Sequence, residues 1–372
     1  MKKVLITGCL GYIGGRLIPH LRASGFDCVG CDTSFFADCL LYPASEIALI
    51  REDVRFLQAE DIAGLDAVVH LAGVSNDPFG TLTAEEVYAP TRDYSLRLAE
   101  LCKQVNVRFI YASSCSVYGA AGGEVVSELS PPRPLTPYSQ NKLEVEEGLS
   151  QLADSTFSPI MLRFATVYGL SPRMRFDIVL NMFVGMALTS RKLILNSDGS
   201  AWRPLVHIED VCRVITSCIE LSSLKSPLVL NVGSAESNVQ ILDLAQRVVK
   251  RVEGCSLEFL GRTSVSAEAR GLIHDRKVAT GIDSRTYRVS FSLLSELFPE
   301  LIPFRTIDEG IAELVATLQE SRLTTEQFQS RMYYRLQRME DLFAAGRLPR
   351  ELFSRSSAPA GSPVARDILQ SF

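Results

Sequence analysis

The sequence lacks the features that would mark several common classes of protein. Basic residues are not in excess, since 38 lysines and arginines accompany 43 aspartates and glutamates and leave a formal net charge of −5. This balance argues against a nucleic-acid-binding protein. No apolar run reaches the roughly 20 residues that a membrane-spanning helix needs. The first residues, MKKVLITG, are typical of a β-strand and not of a signal peptide, so we expect a cytoplasmic protein with no nucleic-acid or membrane partner.

Cysteines are present but lack the spacing of a metal site or a disulfide framework. Nine are scattered through the chain, and Cys28 and Cys31 form its single CxxC pair. A zinc site would need a second pair or a nearby histidine, and this pair lies in the strand-like segment DCVGCD. The pattern indicates a reduced cytosolic protein and predicts no bound metal.

Short apolar runs alternate with helical patterns through the first half of the chain. The segments KVLITG, FDCVGCD, DAVVHLAG and VRFIYASS are strand-like, whereas YIGGRLIPHLRAS and TRDYSLRLAELCKQ have helical spacing. Alternation of this kind predicts an α/β fold, a Rossmann-type doubly wound parallel sheet with helices on both faces.

A glycine-rich turn, TGCLGYIGG, follows the first predicted strand and opens a helix. In this context Gly8 permits a tight turn, Gly11 lets the backbone approach a pyrophosphate, and Gly14 allows close packing of strand and helix. Tyr12 and Ile13 complete the turn, and the helix N-terminus that follows supplies N–H groups to a phosphate. The segment predicts a dinucleotide-binding loop.

An acidic residue selects between the two nicotinamide dinucleotides. Asp32 ends the second predicted strand, 24 positions after Gly8. A carboxylate at this place accepts hydrogen bonds from the ribose hydroxyls and repels a 2′-phosphate. The sequence therefore predicts NAD as the cofactor in preference to NADP.

These and later motifs together resemble the extended short-chain dehydrogenase/reductase family, and more narrowly its NAD-dependent nucleotide-sugar epimerase/dehydratase group. The motifs run in family order from residue 4 to about 290 and include TGCLGYIGG, EDV, HLAG, SSCSVYG, PYSQNK, LRFATVYG and WRPLVHIEDV. The chain departs from the family at Thr91 and Thr166, where asparagine is frequent. The resemblance implies further cofactor contacts from Asp53, Val54, Leu71, Ala72, Gly73 and Ser113.

The same resemblance assigns three catalytic residues, Ser114, Tyr138 and Lys142. Tyr138 and Lys142 are four positions apart in a helical pattern, so both face one side of the helix. A tyrosine base at neutral pH needs its pKa lowered from ~10 toward ~7, and Lys142 and a positively charged nicotinamide ring both favour the phenolate. Ser114 is expected to share the substrate proton with Tyr138, which also contacts the cofactor together with Lys142.

Other positions resemble the substrate contacts of the family. Arg203 matches an arginine that contacts the nucleotide diphosphate, where a guanidinium fork suits phosphate oxygens; a surface ion pair is its alternative. Asn181 resembles an asparagine that helps to bind the sugar diphosphate, and Asp283 lies in a segment near the nucleoside. Ser75 and Asn76 fall in a loop expected over the sugar. The implied partner is a nucleotide-diphosphate sugar.

The two residues that follow the expected catalytic serine indicate the reaction class. Family dehydratases carry an Asp-Glu pair directly after it, and here those places hold Cys115 and Ser116, which are poor acids for a leaving hydroxide. We therefore expect an epimerase that works through a transient keto-sugar, by hydride transfer to and from bound NAD. The alternatives are an NAD(P)H-dependent reductase of a keto-sugar nucleotide, less favourably a decarboxylase or dehydratase, or a non-catalytic dinucleotide-binding scaffold. The resemblance also suggests a homodimer through a helix pair.

Changes in pattern divide the chain into four regions. The last two differ in composition, because amphipathic helical spacing with a C-cap at Gly346 gives way to a Ser/Ala/Pro-rich end that predicts disorder. The regions are an NAD-binding Rossmann domain (1–170, with returning segments near 203–233), a smaller mixed α/β substrate-binding lobe (171–320), a C-terminal helical extension (321–353) and the tail (354–372).

Overall fold

The computed structural model describes residues 1–75, 81–119, 121, 124–222, 224–259 and 286–348. Within these residues the strands form four sheets, and the largest has seven strands. In chain order the strands are β1 (Lys3–Thr7), β2 (Asp27–Cys31), β3 (Ala48–Ile50), β4 (Ala67–His70), β5 (Arg108–Ser114), β6 (Val125–Val126), β7 (Ile160–Phe164), β8 (Thr166–Tyr168), β9 (Lys192–Leu195), β10 (Trp202–His207), β11 (Leu228–Val232), β12 (Asn238–Gln240), β13 (Ser256–Phe259) and β14 (Arg288–Val289).

The seven-stranded sheet is parallel throughout and has the spatial order β11-β7-β5-β4-β1-β2-β3. The chain builds outward from β1 through β2 and β3, then crosses back to β4 and builds in the other direction. Open α/β sheets bind their ligands at the carboxyl ends of the strands beside such a reversal. The predicted Rossmann-type fold is confirmed, and it places the site between β1 and β4.

Helices cover both faces of this sheet, as the alternating sequence pattern predicts. The longest, α3, begins at a capping box in which Thr83 and Glu86 satisfy each other's backbone N–H groups. In chain order the helices are α1 (Gly14–Ala23), α2 (Ala59–Ile62), α3 (Ala84–Gln104), α4 (Pro137–Leu152), α5 (Val179–Ser190), α6 (Ile208–Glu220), α7 (Ile241–Arg251), α8 (Ser292–Leu297), α9 (Ile307–Glu320), α10 (Thr325–Gln329) and α11 (Arg335–Ala344).

Alternate residues of each strand belong to two separate cores. Val4 packs in the cluster that includes α1 and α6, whereas its neighbour Leu5 packs in the cluster that includes α3 and α4. Cys28 lies in the first cluster and Cys31 in the second, because residues three apart in a strand point to opposite faces. The two thiols of the CxxC pair therefore cannot bind one ion.

A third core lies beyond the main sheet. Helices α5, α7 and α9 enclose it together with the three-stranded sheet β12-β10-β8 and the pair β13-β9. The chain returns from this region to the main sheet at β11, which pairs with β7. Strand β10 does not return to it, since it pairs with β8 and β12.

The C-terminal extension folds back onto the molecule. A 3₁₀ turn at Arg331–Tyr333 separates α10 from α11, and Gly346, with φ of +69°, follows α11 at the predicted C-cap. Met339 and Leu342 of α11 pack with Tyr88 of α3. In the described part of the chain, no helix is both long and apolar enough to cross a membrane.

Candidate active site

A cleft opens at the carboxyl ends of the strands beside the reversal in sheet order. It brings together most of the residues that the sequence predicts for cofactor and catalysis. Those in its wall are Gly8, Gly11, Tyr12, Ile13, Gly14, Asp32, Asp53, Val54, Leu71, Ala72, Gly73, Ser75, Ser113, Ser114, Tyr138 and Lys142. Thr91 and Thr166, where the chain departs from the family, also lie in this wall.

The glycine loop has the tight geometry that a dinucleotide site requires. Gly8 has φ of +68°, and a Cβ on it would lie 2.8 Å from the backbone nitrogen of Ala72. A Cβ on Gly14 would lie 2.6 Å from the carbonyl oxygen of Gly8. Side chains at these positions would push the loop off β4 and α1, so the glycines let the backbone line the cleft directly. The loop and the N-terminus of α1 thus fit a pyrophosphate.

Asp32 has a structural task in addition to its predicted one. Its carboxylate accepts hydrogen bonds from the backbone N–H groups of Leu10 (3.0 Å) and Ser34 (2.8 Å). It therefore ties the glycine loop to the end of β2. Burial raises the pKa of Asp32, while the two N–H groups and the charge of Arg335 lower it.

The neighbouring acidic motif is held by a local ion pair. Asp53 caps a short 3₁₀ turn by accepting the backbone N–H of Arg55 at 2.9 Å, and its second oxygen lies 2.9 Å from the Arg55 guanidinium. Val54 is buried beside it. Both predicted residues lie on the Asp32 side of the cleft, where a dinucleotide places its adenosine.

The opposite end of the cleft carries the three predicted catalytic residues. Thr136 caps α4 and Pro137 is its first residue, so Tyr138 lies in the first turn and Lys142 one turn later. The Ser114 side chain, at the end of β5, lies beside the Tyr138 side chain and lowers its pKa, and its hydroxyl accepts the backbone N–H of Ser116 at 3.2 Å. Lys142 donates its ammonium to the Ala112 carbonyl oxygen at 2.6 Å and lies 5.8 Å from the centroid of the Tyr138 ring.

The charge states at this end differ from the sequence expectation. Burial lowers the pKa of Lys142 to about 7, helped by the charge of Arg335 and opposed by Glu146. Burial raises the pKa of Tyr138, while Arg175, Ser114 and Arg335 lower it. The chain by itself therefore does not bring the pKa of Tyr138 toward neutrality, and Lys142 is itself close to losing its charge at pH 7.

A buried ion pair between α4 and β7 lies next to this end of the cleft. Glu146 of α4 and Arg163 of β7 are almost fully buried, with contacts of 2.6 and 3.0 Å. Ser113 lines the cleft, but its hydroxyl donates to Glu146. A hydrogen bond from Ser113 to the cofactor, as predicted, would have to replace this one. Cys115 donates its thiol to the Arg163 carbonyl oxygen at 3.1 Å. Burial raises the pKa of Cys115 far above its usual value, so it is not a nucleophile.

The predicted substrate contacts are only partly brought together. Ser75 lies in the cleft and accepts a hydrogen bond from Arg175 at 3.4 Å. Asn181 is buried outside the lining, where its amide nitrogen donates to the Tyr12 hydroxyl and the Arg175 carbonyl oxygen, both at 3.0 Å. Arg203 is also outside the lining and lies over the Tyr287 ring, 5.8 Å from its centroid. The predicted residues Asn76 and Asp283 lie outside the described residues.

Two arginines in the cleft were missed by sequence reasoning. Arg175 follows β8 and forms a two-point ion pair with Asp177, at 2.9 and 2.8 Å. Arg335 belongs to α11 and donates to the Gly73 carbonyl oxygen at 2.7 Å. Asn181 helps to place Arg175 by donating to its carbonyl oxygen. The segment SPRMRFD is basic, a possible clue to Arg175, but no sequence signal separates Arg335 from the other arginines of the extension.

Comparison with known proteins agrees with this geometry. A model of the NAD dependent epimerase/dehydratase family matches residues 4–233. The chain is 30% identical over 265 residues to an uncharacterized UDP-glucose epimerase of Bacillus subtilis, a match that covers 67% of this chain and 83% of that protein. It is 31% identical over 297 residues to a UDP-glucose 4-epimerase of Neisseria meningitidis serogroup B, covering 70% and 85%.

A solved structure gives the same answer at the level of the fold. MoeE5, in complex with UDP-glucose and NAD, has 28% identity and a TM-score of 0.67, with 86% of this chain and 99% of that chain covered. The family match spans every strand of the central sheet together with the glycine loop and the catalytic end of the cleft. The protein therefore belongs to the NAD-dependent epimerase/dehydratase family, and its cofactor is NAD.

Proposed function

We propose that the protein is an NAD-dependent epimerase of a nucleotide-diphosphate sugar. The observation that carries the proposal is the pairing of Ser114 with Tyr138, beside Lys142, without a carboxylic acid at positions 115 and 116. An epimerase needs one group that removes and returns a hydroxyl proton, and it needs no second acid to expel a leaving group. The UDP-glucose epimerases among the relatives support a UDP-sugar as substrate.

Each catalytic residue has a task that follows from its position. Tyr138 takes the proton of a sugar hydroxyl as the carbon is oxidised to a ketone, and returns that proton when the opposite configuration forms. Ser114 lies beside Tyr138 and lowers its pKa, so its hydroxyl is placed to share the proton and to hold the sugar oxygen. Lys142 lies on the same helix face and, when protonated, favours the phenolate. NAD, when bound, supplies the reversible two-electron oxidation, and its positive ring favours a phenolate nearby.

Dehydration is disfavoured by the groups around Tyr138. Arg175 belongs to the cleft lining, and Asp177 forms an ion pair with it. Burial raises the pKa of the Asp177 carboxyl, but the ion pair outweighs burial, so the pKa is lowered. A carboxylate that remains ionised cannot protonate a leaving hydroxide at neutral pH. Within the described part of the cleft lining, the carboxylates are Asp32, Glu52 and Asp53, which belong to the adenosine end.

Direct incubation with nucleotide sugars tests the proposal. Purified protein is mixed with UDP-glucose, UDP-N-acetylglucosamine or UDP-glucuronic acid without added cofactor, and the products are separated by anion-exchange chromatography. We expect interconversion of one substrate with its epimer, at a rate roughly 10²–10⁴-fold lower in the Tyr138→Phe variant.

The other outcomes would each replace the proposal with a named alternative. Turnover only after addition of NADPH would indicate a keto-sugar reductase, and a product that has lost water would indicate a dehydratase. Absence of turnover on all substrates, with NAD still bound, would favour a dinucleotide-binding scaffold. A homodimer remains a prediction, which light scattering of the purified protein tests.

A further inference from the structure

The C-terminal extension forms part of the wall of the NAD cleft. Arg335 and Met339 of α11 line the cleft, and Met339 and Leu342 anchor the helix in a cluster with Leu82 and Tyr88. The family match ends at residue 233, and α11 lies beyond it. A segment that covers a cofactor site is placed to contact the cofactor itself.

Arg335 contacts two of the loops that border the cleft. Its Nη2 donates to the carbonyl oxygen of Gly73, which follows β4, at 2.7 Å. Its guanidinium lies over the ring of Phe36, 5.1 Å from the centroid, and Phe36 follows β2. Arg335 therefore spans the loops on either side of the glycine loop, which follows β1.

The guanidinium still has donor capacity toward the cleft. Its Nε is buried and finds no hydrogen-bond partner within the described part of the chain. A buried donor without a partner is unfavourable, and more so on a charged group. Nη1 likewise donates to no group in the described part of the chain and, unlike Nε, is not buried, so it is the donor that an anion in the cleft would meet.

The positive charges around Arg335 also favour binding of an anion. Arg173 lies over the same Phe36 ring, 4.5 Å from its centroid, and Arg175 shares the wall of the cleft. Together with burial, these two charges lower the pKa of Arg335 to about 10. Asp177 pairs with Arg175 and also accepts the backbone N–H of Arg335 at 3.3 Å. Asp177 therefore forms its salt bridge with Arg175, and the Arg335 guanidinium has no carboxylate within salt-bridge distance in the described part of the chain.

The position of Arg335 along the cleft identifies which anion it meets. Arg335 contacts Gly73 after β4 and Phe36 after β2, on either side of the glycine loop that follows β1. A dinucleotide places its pyrophosphate at this loop. Arg335 therefore lies at the level of the pyrophosphate.

We propose that Arg335 binds the pyrophosphate of NAD, facing the glycine loop across the cleft, and that α11 thereby retains the cofactor in the protein. Arginine suits this task because its planar fork donates to two phosphate oxygens at once. The inference rests on NAD as cofactor and not on epimerisation, so it stands or falls separately from the proposed reaction.

Cofactor binding by an Arg335→Gln variant tests this proposal. The NAD content of each protein is measured after purification and dialysis, and dissociation constants for NAD, ADP-ribose and adenosine are measured by calorimetry on protein stripped of cofactor. Loss of a charge-assisted hydrogen bond weakens binding by about tenfold to a hundredfold. We expect that loss for NAD and ADP-ribose, which contain the pyrophosphate, and less than about twofold for adenosine, which has no phosphate.

Two further variants separate charge recognition from docking of the helix. Arg338 lies on the same helix and pairs with Asp38 at 2.6 Å, and it does not belong to the cleft lining described above, so Arg338→Gln should retain NAD. Arg335→Lys keeps the positive charge and the length and should lose less affinity than Arg335→Gln.

Three results would overturn the proposal. The first is equal weakening of adenosine and NAD by Arg335→Gln, which would indicate a general loss of packing. The second is equal loss of NAD in Arg338→Gln. The third is unchanged NAD affinity in Arg335→Gln with a raised KM for the nucleotide sugar, which would assign Arg335 to the substrate.

Discussion

The two walls of the cleft differ in how the sequence encodes them. One wall, built from the glycine loop, Asp32 and the residues after β4 and β5, comes from short motifs whose spacing alone places them. The other, built from Arg175 and α11, depends on contacts between distant parts of the chain: Arg335 and Gly73 are 262 positions apart. The motif wall contains the residues that match the family pattern, whereas α11 of the arginine wall lies beyond the family match, which ends at residue 233.

The first and largest prediction contrasts the two walls directly. Tyr138→Phe removes the hydroxyl to which the proposed mechanism assigns the proton, and general acid–base catalysis contributes roughly 10²–10⁴-fold in rate. We expect a loss of turnover in that range, with a smaller loss of NAD content than in Arg335→Gln. Arg335→Gln should show the reverse pattern, with NAD loss as its main defect. If Tyr138→Phe lost as much NAD as Arg335→Gln, the two walls would not differ in function.

The second prediction tests the buried support of the motif wall. Glu146→Gln leaves the Arg163 guanidinium buried without its carboxylate, which costs about 3–5 kcal/mol in free energy of unfolding. Glu144→Gln is the matched control on the same helix, because Glu144 pairs with Arg92 at a partly exposed site and should cost less than about 1 kcal/mol. Urea unfolding measures both variants, and similar losses would contradict the assignment.

The third prediction concerns the pH dependence of stability. His70 is buried between Thr7 (2.7 Å) and Ser95 (2.9 Å), and burial lowers its pKa to about 3 from 6.5. The unfolded chain then binds more protons than the folded protein between these values, so stability is lost as pH falls through this window and is complete above it.

The expected slope for this histidine is about 1.4 kcal/mol for each pH unit. Urea unfolding from pH 7 to pH 4 measures it, with His70→Asn as the reference that lacks the titrating group. The wild type should lose stability more steeply than His70→Asn. Parallel curves would mean that His70 is protonated in the folded protein.

The smallest effect is expected at the surface of the extension. Arg331 pairs with Asp341 at 2.9 Å and with Glu340 at 3.2 Å, where all three side chains are partly exposed. Exposed ion pairs contribute about 0–1 kcal/mol, so Arg331→Gln should change neither the thermal unfolding midpoint appreciably nor the NAD content. A clear fall in NAD content would show that the packing of Met339 and Leu342 is not enough to hold the extension in place.

The motif wall could be predicted from the sequence, and the arginine wall could not. The parallel sheet, the glycine loop and Tyr138 with Lys142 are predictable because strand alternation and helix spacing are local properties. Asn181 and Arg203 match family motifs by position, yet their side chains face protein groups, which spacing does not reveal. Arg335 was unpredictable because its role arises only when α11 folds back across the cleft. The raised pKa of Tyr138 likewise depends on burial, a tertiary property.

The central claim is that one sugar carbon is oxidised and reduced again by NAD that stays bound. A nucleotide sugar deuterated at the carbon whose configuration changes, incubated in ordinary water without added cofactor, tests it by mass spectrometry of the product. Retention of the deuterium in the epimer is the predicted result, because no step exchanges that hydrogen with solvent. An epimer that has lost the deuterium to water would contradict the account.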